Sequence, residues 1–150
     1  MKTFDTLADL VACVGQEVVV SDWHTVTQEH INQFADATGD HQWIHVDAER
    51  AQAGPFGATI AHGFLTLSLV AGLSQKSLKV ADVRMGINYG LNKVRFTSPV
   101  PVGSRLRSRM ELLEATPIEG GYQLVWRQTI EREGHDKPAC VAETVARYFT

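Results

Sequence analysis

Between Gly63 and Gln75 the run GFLTLSLVAGLSQ carries Phe64, Leu65, Leu67, Leu69, Val70 and Leu73, so on a helix its apolar groups point in nearly every direction. Such a helix has to be surrounded by other apolar surface. The chain downstream offers it in four long segments with β character, roughly Arg84 to Thr97, Ser104 to Ala115, Tyr122 to Glu133 and Ala139 to Phe149. Leu106, Ser108, Met110 and Leu112 alternate with Arg107, Arg109 and Glu111, and Leu124, Trp126 and Ile130 repeat the pattern one strand later. Glu119-Gly120-Gly121 and Gly134-His135-Asp136 supply hairpin turns between them. Helices precede strands, which predicts an α+β chain in which a bent antiparallel sheet wraps one apolar helix, rather than alternating βαβ units.

The uncharged stretch from Ala51 to Gln75 imitates a membrane span but is not one. Gly54, Pro55, Gly57, His62 and Gly63 break its first half, and the run left over, Phe64 to Leu73, is far below the ~20 residues a bilayer requires. At the N-terminus, Asp5 and Asp9 interrupt any apolar core of a secretory signal. A chain of 150 residues with 44% apolar and 21% charged residues is predicted to form one domain over residues 1–150 with a sizeable core. Its net charge of −3 argues against a general nucleic-acid binder, which needs a clustered basic face, while leaving small anionic ligands open. Cys13 and Cys140 lie far apart with no close-spaced partner, so neither a zinc site nor a disulfide framework is expected. Both read as buried reduced thiols of a cytoplasmic protein.

In the first half, Thr6 to Val11 is predicted as a short helix and Glu17 to Trp23 as a strand. Thr27 is a candidate N-cap for a longer helix in which Ile31, Phe34, Ala35 and Thr38 recur on one face and Glu29 suits the positive end. The stretch TGDHQWIHV, Thr38 to Val46, follows directly. Asp40 and His45 are five residues apart, so on one continuous helix they would point about 140° from each other. They converge only if the helix stops first, and Gly39 suits the left-handed stop. A short helix around Asp47 to Ala53 comes next.

The run from Phe34 to Ala51 (FADATGDHQWIHVDAERA) resembles the signature of the MaoC-like, (R)-specific enoyl-CoA hydratases: an aromatic residue before Gly-Asp, a His five residues after the Asp, and a small closing residue. One departure is visible. The family often carries Asn-Pro two and three residues after the Asp, where this chain has Gln42 and Trp43. The resemblance implies a hot-dog fold, a soluble acyl-CoA thioester as substrate, addition of water across a trans-2-enoyl thioester to give the (R)-3-hydroxyacyl product (or the reverse), and no cofactor. It also implies that the thioester carbonyl is held at the turn Ile60-Ala61-His62-Gly63, and, more loosely, that Gly86, Ile87, Asn88 and Tyr89 line the substrate path.

Hydrating a conjugated thioester requires that water lose a proton as it attacks C3, that C2 gain one, and that the thioester oxygen carry transient negative charge. His45 exchanges protons near neutral pH and ionised Asp40 orients water or imidazole; which of the two handles each proton stays open. For the oxyanion the candidate is the backbone N–H of Gly63, where free N–H groups and the helix dipole favour negative charge. Seen alone, Asp40 would be a solvated turn residue and His45 an ordinary core or surface histidine. Phe34, Gly39, Asp40, His45 and Ala51 at their fixed offsets, ahead of a glycine-opened apolar helix, favour the functional reading.

Other polar residues divide between function and packing. His62 either touches ligand or only caps its helix. Trp43 packs, and Lys93 and Arg95 are candidates for coenzyme A phosphates against the ordinary reading of solvated sheet residues. His24, His30, His135 and Asp36 read as surface residues. His41-Gln42-Trp43-Ile44-His45 imitates the H-E-x-x-H zinc signature, but Gln42 replaces the essential Glu and Gly39 breaks the required helix, so no metal is predicted.

Two rival readings stand beside the hydratase: an acyl-CoA thioesterase of the same fold, and a non-catalytic acyl-thioester-binding module. Thioesterases and fatty-acid-synthesis dehydratases of this fold generally keep a carboxylate on the central helix, whereas Gly63 to Gln75 contains no Asp or Glu. One sheet and one helix leave a free edge and an uncovered helix face, so a homodimer is expected; in the family two such units commonly join their sheets, with the substrate tunnel near the interface.

Overall fold

The computed structural model describes residues 1–150. A short strand β1 (Lys2–Phe4) leads to helix α1 (Leu7–Val11), whose start is fixed by a reciprocal cap between Thr6 and Asp9. Strands β2 (Gln16–Val20) and β3 (His24–Thr25) precede α2 (Gln28–Thr38), then the single turn α3 (Trp43–Val46) and α4 (Ala48–Gln52), capped by Asp47. The apolar run becomes α5 (Gly63–Ser77) and continues into β4 (Leu78–Val80), which pairs in parallel with β1. Four long strands complete the chain: β5 (Met85–Phe96), β6 (Arg105–Ile118), β7 (Gly121–Arg132) and β8 (Cys140–Phe149).

The main sheet is antiparallel in the order β2-β6-β7-β8-β5, with β3 also paired to β6. Register shifts at Leu112/Glu114 in β6 and at Asn88/Gly90 and Leu91/Lys93 in β5 are bulges, which bend a strand and tighten its twist. The alternation read from the sequence is what the sheet uses. Leu106, Ser108, Met110 and Leu112 are buried, while Arg107, Arg109 and Arg127 on the other face pair with Glu131, Glu17 and Glu111. Those ion pairs are half-exposed and worth at most about 1 kcal/mol each, so the inner face holds the fold. Each fully buried Leu or Ile there, such as Leu106, Leu124 and Ile130, contributes on the order of 1.5–3 kcal/mol.

The central helix has the uncovered face that one sheet and one helix were expected to leave. Leu65, Thr66, Val70, Leu73 and Ser77 are buried against the sheet, but Phe64 is 69% exposed and Ser68 and Gly72 also face outward. A helix apolar on all sides is therefore covered on only one side by its own chain. Two corrections follow from packing: Cys13 is half-buried rather than buried, and His24 and His30, read as surface residues, are half-buried with their rings stacked 5.4 Å apart. No helix is long and apolar enough to cross a membrane.

Candidate active site

Helix α2 ends as its sequence requires. Gly39 sits at φ 79°, in the left-handed region, and its N–H donates to the Ala35 carbonyl, so the chain turns sharply before Asp40. Asp40 emerges exposed, with its Oδ1 accepting from the Gln42 N–H at 3.3 Å. The turn α3 then swings His45 inward until only 6% of it is exposed. Gln28, in the first turn of α2, holds this segment in place. Its Nε2 donates to the His45 carbonyl at 2.8 Å, and its Oε1 accepts from the Thr59 hydroxyl at 2.6 Å.

Hydrogen bonding fixes both imidazoles at the site. His45 Nδ1 lies 2.7 Å from the carbonyl oxygen of Ile60, and a carbonyl only accepts, so the proton resides on Nδ1 and neutral His45 offers Nε2 as a base. His62 is 2% exposed and uses the opposite nitrogen, Nε2–H, to donate to the Asp40 carbonyl at 2.9 Å. Its Nδ1 is buried without a partner. The two rings stack with centroids 3.8 Å apart, and Phe34 packs obliquely on the far side of His62. Asp40, His45 and His62 can each bring one polar atom within 4.8 Å of the others.

The oxyanion candidate lies on the same loop. Thr66 N–H makes the first bond of α5, to the His62 carbonyl at 3.1 Å, which leaves the N–H groups of Gly63, Phe64 and Leu65 without helical acceptors. A Cβ on Gly63 would stand 3.0 Å from the Phe96 ring, so glycine is what allows β5 and the helix start to approach this closely.

The site residues predicted from sequence fall into two groups. Asp40, His45, Ile60, Ala61, His62 and Gly63 gather around the helix start, with Ile60 and Ala61 nearly buried. Gly86, Ile87, Asn88 and Tyr89 instead line a cavity of about 560 Å³ between α5 and the sheet, which begins along the helix at Leu67. That start is one turn beyond Gly63, about 6 Å by helical rise. Sequence reasoning did not single out Gln28, whose role depends on partners 17 and 31 residues away. His41, part of the zinc-like pattern, faces solvent and bonds Asp36 at 2.9 Å, so it does not join His45.

Electrostatic perturbations lie mostly around this centre rather than in it. The Asp36 bond raises the pKa of His41, burial and the neighbouring His30 and Lys76 lower that of His24, and burial raises that of Tyr148 at the cavity wall. Burial also pushes the Cys140 thiol up to about 11, leaving it a packing residue.

The model of the MaoC like domain family matches residues 9–132 of the chain. The chain belongs to the MaoC-like family. Among its MaoC-like relatives it is 57% identical over 149 residues, 99% of both chains, to 3-hydroxyacyl-thioester dehydratase Z of Mycobacterium tuberculosis. It is 48% identical to nodulation protein N of Rhizobium leguminosarum, over 93% of this chain and 89% of that one. Among solved structures, R-hydratase PhaJ1 from Pseudomonas aeruginosa superposes with a TM-score of 0.79 at 25% identity, covering 97% of this chain and 86% of that chain. The (R)-hydratase from A. caviae superposes at 0.71, also at 25% identity, covering 89% and 94%. The hot-dog fold is thus the fold of this MaoC-like chain.

Proposed function

We propose that this chain is an (R)-specific 3-hydroxyacyl-thioester dehydratase, working reversibly as an enoyl-CoA hydratase, with Asp40 and His45 as its proton-transfer pair. The observation that carries the assignment is the tautomer of His45. With Nδ1–H bonded to Ile60, the imidazole presents an unprotonated Nε2 beside the Asp40 carboxylate. A water held between them gives up one proton to the pair as its oxygen bonds C3 of the enoyl thioester, and the pair returns one proton to C2. Charge that passes onto the thioester oxygen meets the Gly63 N–H and the positive end of α5. Dehydration follows the same path in reverse: C2 loses a proton and the C3 hydroxyl leaves as water.

A homodimer completes the site in this reading. Strand β5 ends the sheet with an unpaired edge, and Ile87, Tyr89, Leu91, Phe96 and, from α5, Phe64 are exposed. Pairing two β5 edges about a two-fold axis runs the strands antiparallel, so the Phe96 end of one meets the Met85 end of the other. Gly63 adjoins Phe96, whereas the cavity flanks Gly86 to Leu91. The acyl chain activated by one protomer accordingly enters the cavity of its partner.

The test follows absorbance and thiol release together. Hydration removes the ultraviolet band of the conjugated thioester, whereas a thioesterase releases free thiol. Asp40→Asn and His45→Gln should each reduce hydration about 10²–10⁴-fold while melting like the wild type. Full hydration in either variant would remove that residue from the mechanism, absence of both hydration and thiol release in the wild type would favour the non-catalytic binding module, and stoichiometric thiol release by the wild type would favour the thioesterase.

A further inference from the structure

The inner face of β7 reads Leu124, Trp126, Gln128, Ile130, and its one polar member is among the most enclosed groups in the molecule. Gln128 is 3% exposed and lines the 560 Å³ cavity, a volume within the range of about 300–1,000 Å³ usual for small-molecule sites. Its amide is anchored from behind. Oε1 accepts from the Ser108 hydroxyl at 2.7 Å, Ser108 N–H donates to the Ser21 hydroxyl oxygen at 2.9 Å, and that hydroxyl donates to the Asp22 carbonyl. On the cavity side, Nε2 has two N–H groups and one distant neighbour, the Ser74 hydroxyl at 3.4 Å. One donor is left without an acceptor in a pocket whose other walls include Val70, Met110, Trp126 and Val145. A hydrocarbon tail filling this space would seal that donor away from water unpaired, which is costly. A tail carrying an oxygen acceptor would satisfy it.

We propose that Gln128 selects acyl thioesters bearing an oxygen function, a hydroxyl or keto group, on the tail. The inference rests on the dehydratase reading and on the cavity as the acyl site, and it adds the class of acyl group accepted. Selection arises because a site built around a hydrogen-bonding group rejects the analogue that lacks one more strongly than an apolar pocket rejects an added methylene. Ser74, on α5 beside the amide, offers the same tail oxygen a second partner.

The experiment uses the full chain and pairs of trans-2-enoyl-CoA thioesters of equal length, one with a saturated tail and one with a terminal hydroxyl or keto group, across a series of lengths. At the length that brings the oxygen to Gln128, the wild type should favour the oxygenated member about tenfold or more in kcat/KM. Gln128→Met keeps the volume and removes the donor, so it should bring the kcat/KM ratio of the two members to about one, whatever the absolute rates. A purely structural Gln128 would lower both rates together and leave their ratio unchanged, which would overturn the proposal. The wild-type ratio alone also decides, without any variant: equal turnover of both members at every length overturns the selection and leaves the dehydratase reading standing. Absence of turnover with either member at all lengths sinks the dehydratase reading itself.

Discussion

At the scale of single residues, function depends on which nitrogen of each histidine is engaged, and backbone carbonyls settle that for His45 and His62 in opposite senses. His45 is left with Nε2 as an available base, while His62 spends its Nε2 proton holding the Asp40 backbone. The perturbed histidine of greater consequence for stability is His24. Burial first, and then His30 and Lys76, hold its folded-state pKa below the ordinary value of 6.5. The unfolded chain therefore takes up this proton more readily, so stability is intact above pH 6.5 and falls as the pH drops through that value toward the folded pKa. Urea titrations between pH 7.5 and roughly 5 should show this decline, and His24→Phe should flatten it. His41 works in the opposite direction, because its bond to Asp36 raises its pKa, but full exposure keeps its effect small.

At the scale of elements, the site depends on how two helices stop and start. Gly39 lets α2 end in a left-handed residue, and nothing lies within 4 Å of where its Cβ would be. Gly39→Ala therefore introduces backbone strain without a clash, about 1–2 kcal/mol. Denaturant midpoints should register that loss. Activity should fall more steeply than stability, because the strain is relieved by moving Asp40, and a variant that keeps wild-type kcat would show that the position of Asp40 is not critical. In the proposed mechanism the start of α5 acts through its unused N–H groups rather than through a side chain, so no carboxylate is required within Gly63–Ser77.

For the molecule as a whole, the proposed homodimer would make assembly part of the mechanism, because catalytic cluster and cavity lie apart along α5 within one chain. Mixing subunits tests this directly. Asp40→Asn removes the chemistry of one protomer, and Ala71→Trp fills the cavity of the other, since Ala71 lines it. Each variant alone should be inactive. An equal mixture after subunit exchange should recover roughly a quarter of wild-type activity, because half the dimers are mixed and each of those has one intact composite site. No recovery, with exchange verified by mass, would place cluster and cavity function in the same protomer.

The local signals in the chain were strong enough to be read without coordinates. Alternation in β6 and β7, the glycine stop at Gly39, the cap at Thr27 and the offset from Asp40 to His45 all depend on neighbours within a few residues, where stereochemistry leaves few options. The α+β layering followed from them, whereas Asp40 and His45 were read as a pair through the resemblance to the MaoC-like signature. Tertiary structure alone decided the rest. The tautomer of His45 depends on Ile60, 15 residues away, the clamp on its loop depends on Gln28 and Thr59, and the stacking of His62 on His45 depends on how two loops meet. An uncovered face on α5 was expected, but which face it is, and the distance between the free N–H groups and the cavity, were hidden from sequence, because an apolar side chain records that it needs cover and not which surface supplies it.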